Sequence, residues 1–123
     1  MLKTIFLIGI GGGAGSILRY LVSIYLLKYS KSTLPVATLL VNILGCLAIG
    51  ILLGILGKQQ IQNPNIKYLL VIGFCGGFTT FSTFAAENIQ LLQTGNFLTV
   101  FSYITLSILL CLIAVWLGLF LTK

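Results

Sequence analysis

Gly73–Glu87 reads GFCGGFTTFSTFAAE, and this run decides how the rest of the 123 residues are arranged. It lies in the third of four long apolar segments, where an uninterrupted membrane helix would be expected. It holds three glycines, four Thr/Ser hydroxyls and four phenylalanines, and it ends at Glu87, the only acidic residue of the chain. Glycine lowers helix propensity, and clustered Thr and Ser lower it further by competing for backbone groups. At membrane depth, an interrupted helix persists only where protein or a polar cavity satisfies the freed N–H and C=O groups. The run therefore predicts a helix break that forms a site. The segment around it, about 66–92, would measure about 40 Å as a straight helix, longer than one bilayer core. A break near 76–80 fits that length.

Composition points to the bilayer. Hydrophobic residues make up 59% of the chain and charged residues 7%, against about 25% charged in globular domains. The net charge of +6 sits at segment ends. Topology and anionic lipid headgroups account for it, and no nucleic-acid partner is expected. With no histidine, the usual general base and neutral-pH switch are missing. No base, nucleophile pair or metal cluster can be assembled, so an enzyme is not expected. Cys46, Cys75 and Cys111 are odd in number, apolar in setting and without C-x-x-C spacing. They read as small packing residues rather than a disulfide framework or zinc site.

The expected architecture is an all-α membrane protein of one domain, 1–123, with spans at about 4–27, 34–57, 66–92 and 97–121. A cleaved signal peptide would need a short apolar core at the start, but the first apolar run continues to Leu27. Its glycines lack the strand and the acidic residue of a dinucleotide loop. They read as close-packing pairs, Gly9/Gly13 and Gly11/Gly15, as does Gly50/Gly54 in the second segment. Arg19 lies roughly 22 Å past Thr4, within a core about 30 Å thick. It either snorkels to the far headgroups or draws anions toward a vestibule. Thr38, Asn42, Gly45/Cys46 and Ala48/Ile49 fall near one stripe. Asn42 is either helix–helix glue or a pore-lining donor, because a buried amide is costly without partners. Tyr103, Ser107 and Cys111 make a second weakly polar stripe, which either packs on a neighbour or lines a path.

Four spans put both termini on one side with Lys3, Lys58, Lys67 and Lys123. The other side carries Lys28 and Lys31, with Arg19 near it. Four cations against three is almost no bias, so the chain can insert in both orientations. Two copies in opposite orientation would share a two-fold axis in the membrane plane, and the break is where it could pass.

Three stretches resemble one family: GGGAGSILRY (Gly11–Tyr20), ATLLVNILG (Ala37–Gly45) and GFCGGFTTFSTFAAE (Gly73–Glu87). Over essentially its whole length the chain is similar to the Fluc fluoride channels, also called CrcB. The resemblance implies an antiparallel, dual-topology homodimer with two pores that export fluoride passively from the cytoplasm across the plasma membrane. It implies ring contacts from Phe81 and Phe84 and a pore asparagine at Asn42. It also implies a structural sodium ion held by the backbone carbonyls of Gly76 and Thr79. The fourth-segment track looks like Tyr103 and Ser107; Cys111 stands where some relatives are expected to carry a hydroxyl, and a thiol is a weaker donor. Ser82 and Thr83 lie between the two phenylalanines and are counted with the pore, although they can face elsewhere. Arg19 and Glu87 are assigned to the vestibule.

Fluoride is small and strongly hydrated, so a path must replace its water with donors and still release it. Amide N–H groups, hydroxyls and electropositive ring edges suit that task better than a row of cations. The competing reading is a small dual-topology exporter coupled to protons, for which Glu87 is the one available carboxylate. A non-transporting membrane-structural protein is the third.

Overall fold

The computed structural model describes residues 1–57 and 63–122. Lys58 and Lys123, which enter the charge count, lie outside the described residues. Four helical segments are long and apolar enough to cross a membrane: Leu2–Tyr29, Val36–Gly57, Pro64–Gln93 and Phe97–Leu121. They are called the first to fourth spans below. The third is not one helix. Pro64–Ile66 starts it, with Pro64 in the first turn and Asn63 accepting from the Asn65 N–H as the cap. Lys67–Cys75 is wound as a π-helix, a widened turn often found at functional positions. Gly76–Phe78 completes the first half. Thr79 and Thr80 are extended, and Phe81–Gln93 forms the second half. The helix breaks where the Gly-Gly and Thr-Thr pairs meet.

Glycine spacing determines which spans touch. The first span lies along the first half of the third. A Cβ on Gly11 would overlap the Leu69 carbonyl oxygen, one on Gly15 the Phe74 carbonyl, and one on Gly77 the Gly12 backbone. Gly11/Gly15 is thus the packing pair, while Gly9 and Gly13 meet nothing within 4 Å. The second span lies along the fourth, where a Cβ on Gly50 would overlap the Val115 carbonyl and one on Gly118 would meet Leu47 O and Ile51 N at 2.6 Å. Backbone-to-backbone approach of this kind is how helices associate in lipid, where burial of apolar surface offers no driving force.

Contacts advance in the same direction along both members of each pair, so the spans run parallel within a pair. The second and fourth spans are in register as rungs one turn apart. Thr38 and Tyr103 meet at one carboxylate. Asn42 and Ser107 line one groove, as do Cys46 and Cys111. Gly50 then sits on Val115. Only 11–22% of each span's most apolar window is buried inside the chain, so most of the apolar surface is left for lipid or a second copy to cover.

Candidate functional site at the helix break

The break is built by one side chain from another span. Asn42 Nδ2 donates to the Thr80 carbonyl (3.0 Å), and the Thr80 N–H donates to Asn42 Oδ1 (2.8 Å). One amide thus satisfies both backbone groups of Thr80, which a break at membrane depth requires. Thr80 is buried and caps the second half: its hydroxyl accepts from the Thr83 N–H at 3.3 Å. Thr79 closes the first half, its N–H and hydroxyl both donating to the Cys75 carbonyl, at 2.9 and 2.8 Å.

These diversions free two carbonyls. In an unbroken helix the Thr80 N–H would bond Gly76 O and the Thr83 N–H would bond Thr79 O. The first goes to Asn42 and the second to the Thr80 hydroxyl. Gly77 O, by contrast, accepts from the Ser16 hydroxyl at 3.3 Å. Gly76 is exposed, with nothing within 4 Å of a Cβ built on it.

On one side of the break lies an open groove of about 290 Å³. Asn42, Thr79, Thr80, Phe81, Phe84 and Ser107 line it, and Cys46 and Cys111 continue it. The two phenylalanine rings are 5.6 Å apart, and Phe84 meets Tyr103 edge-on at 5.0 Å. Tyr103 is fully buried, whereas Phe81 is 78% exposed. The Ser107 hydroxyl is buried and has no hydrogen-bond partner among the described residues. That is unusual, because buried polar groups are normally satisfied.

On the other side a cleft of about 210 Å³ opens between the first and second spans and the second half of the third. Arg19 lines it with Ser16, Ser23, Thr38, Thr80 and Thr83. Thr80 therefore faces both spaces, and Thr83 lies on the cleft rather than the groove. Ser82 is exposed and reaches the Thr80 hydroxyl at 3.2 Å. Glu87 is half-buried, with each carboxylate oxygen bound by a hydroxyl: Thr38 donates to Oε1 and Tyr103 to Oε2, both at 2.7 Å.

The sequence reading placed most of these residues near the break but not their partnerships. It left Asn42 between glue and pore donor. The structure gives it the first role without exhausting the second, because its other N–H makes no bond among the described residues. Thr80 as a shared wall and Thr38 as a carboxylate ligand were missed. Threonine is a favoured N-cap residue, so Thr80 could have been read as the start of the second half, but nothing in the sequence signalled its place between two cavities.

The family described as "CrcB-like protein, Camphor Resistance (CrcB)" matches residues 6–119. The chain belongs to the CrcB family. It is 52% identical over 122 residues to the "Fluoride-specific ion channel FluC" of Flavobacterium psychrophilum, covering 99% of this chain and 98% of the relative. A protein of the same name from Azobacteroides pseudotrichonymphae is 49% identical over 123 residues, covering 100% and 98%. One from Phocaeicola vulgatus is 43% identical over 122 residues, covering 99% and 100%. This is a multi-pass membrane protein of a family of channels, not enzymes.

Proposed function

We propose that this protein is a fluoride channel that lets the ion leave the cytoplasm passively through the groove beside the break. The observation that carries the reading is the shared name of full-length relatives, one identical at half of its positions. The groove supplies suitable chemistry. The unpartnered Ser107 hydroxyl, the second Asn42 N–H and the edges of Phe81 and Phe84 are neutral donors to an anion. None is a fixed cation that would hold the ion too tightly. Arg19, in the cleft beyond Thr80, raises the local anion concentration without standing in the groove.

The working unit is an antiparallel homodimer in the membrane. The near balance of flanking cations supports dual insertion, and the exposure of Phe81 and Gly76 supports a second copy covering that face. Gly76 and Thr79 would hold a structural sodium ion through the carbonyls whose helical donors are diverted. Such carbonyls are hard oxygen ligands, and a cation there would satisfy acceptors that the break leaves free.

Glu87 is the residue a proton-coupled exporter would use. Two hydroxyls donating to its carboxylate hold the side chain in place, which favours a fixed structural role over a mobile carrier. Anion efflux from liposomes containing only this protein tests the whole reading. Fluoride should leave rapidly and chloride should not; equal rates, or no efflux of either ion, would reject it.

A further inference from the structure

Cys46 and Cys111 sit on facing rungs of the second and fourth spans, one turn beyond Asn42 and Ser107. Both thiols are free and both line the groove. Cys75, on the third span, is fully buried and does not line the groove. The register of the two spans is fixed on one side by Thr38 and Tyr103, which share the Glu87 carboxylate, and on the other by the Gly50–Val115 contact. Two thiols are thus held in register by contacts that neither thiol makes.

We propose that Cys46 and Cys111 form a two-thiolate binding site for a soft, two-coordinate divalent cation of the Hg(II) class. Thiolates select soft cations. With metal–sulfur bonds of roughly 2.3 Å, a linear ion needs sulfurs about 4.6 Å apart, a span that facing side chains reach by rotation about χ1. On binding, both S–H bonds break, two metal–sulfur bonds form, and two protons leave to water. Two thiolates then neutralise a divalent ion, so no net charge is buried in an apolar groove. Zinc is excluded from such a site by its need for four ligands. The bound ion would occupy the groove beside Ser107, so its effect on transport, though not its binding, rests on the fluoride reading above.

The test titrates Hg(II) nitrate into the purified full-length protein and counts bound metal by intact mass. Binding is followed by the thiolate-to-metal charge-transfer absorbance. One Hg(II) per chain is expected, with two protons released per ion. Cys46→Ser and Cys111→Ser should each weaken binding by more than the 10- to 100-fold that outer-shell changes cost at metal sites. Cys75→Ser should leave binding unchanged. The unmutated protein supplies a second measurement: one equivalent of Hg(II) should protect two cysteines from maleimide alkylation. Separate one-thiol adducts, binding that survives Cys111→Ser, or dependence on Cys75 would overturn the site. Fluoride efflux run in parallel should fall with Hg(II) and recover with a dithiol chelator. One-to-one binding that leaves efflux untouched would uphold the site and overturn the placement of the fluoride path in this groove.

Discussion

Replacing Asn42 with Asp changes one atom type at the clamp on the break. Oδ1 still accepts from the Thr80 N–H, but the donor that faces the Thr80 carbonyl at 3.0 Å is gone. A buried acceptor left without its donor costs about 1–3 kcal/mol. At about 1.4 kcal/mol per tenfold, the population with an intact break falls roughly 5- to 150-fold. The new carboxylate oxygen also faces a carbonyl oxygen and puts negative charge in an anion path, so fluoride efflux should drop below detection near neutral pH. Asn42→Ala removes both bonds and should be at least as destabilising, without the added charge. The pair separates the clamp from the charge. A neutral carboxylic acid carries an O–H donor, so acidification should restore part of the Asp variant's efflux and none of the Ala variant's. Fluoride-electrode recordings from proteoliposomes at several pH values, with thermal unfolding of the same preparations, make the measurement. Parent-level efflux and unfolding in the Asp variant would refute the clamp.

Phe81→Ile and Phe84→Ile should both cut fluoride efflux sharply by removing ring edges while keeping apolar bulk. Phe84→Ile should lower the unfolding temperature more than Phe81→Ile, since Phe84 pairs with both Phe81 and Tyr103 whereas the exposed Phe81 loses only the pair with Phe84, each such pair adding about 0.5–1.5 kcal/mol; normal efflux in both variants would remove the phenylalanines from the path. Glu87→Gln should keep measurable efflux, because an amide still accepts from one of the two hydroxyls and the other can turn; complete loss together with proton-dependent transport would favour the exporter. Gly11→Val should prevent assembly by driving a side chain into the Leu69 carbonyl. A Cβ on Gly76 meets nothing within 4 Å among the described residues, so Gly76→Ala should leave the monomer fold intact and damage only dimerisation and efflux, as read by size-exclusion profile and flux. Replacing sodium with a large organic cation on both sides should slowly silence the channel; undiminished activity after prolonged exchange would exclude the central ion.

The fold was legible because lipid imposes few solutions. Four long apolar segments must be helices, and the third is both too long and too rich in glycine and hydroxyls to run unbroken. The stripe of Tyr103, Ser107 and Cys111 was legible as a stripe: Tyr103 is buried, while Ser107 and Cys111 lie on the groove. Periodicity could not decide between Gly9/Gly13 and Gly11/Gly15, since both are small-xxx-small pairs, on opposite faces of one helix. Which face meets a neighbour is set by how the first and third spans pack, Gly11 and Gly15 meeting the backbone of Leu69 and Phe74, and no local propensity announces that. Glu87 was visible as the lone acid, but its ligands come from two other spans. Only the register between those spans brings Thr38 and Tyr103 to one carboxylate.

The same register explains why one asparagine can matter in several ways. Without Asn42, the Thr80 N–H has a ready acceptor in Gly76 O, and the chain could run on as a helix. With Asn42 in place, that bond is diverted and Thr80 becomes the cap of a second helix. Two carbonyls are freed on the exposed face near Gly76, and Phe81 is set on the groove at the start of the new helix. The freed carbonyls, the placement of Phe81 and the wall between groove and cleft thus depend on one reciprocal pair of hydrogen bonds. Local substitutions at Thr79 or Ser82 leave that pair intact and should be mild. A change at Asn42 removes the feature on which the others are built, so its effects on efflux, dimerisation and sodium dependence should appear together.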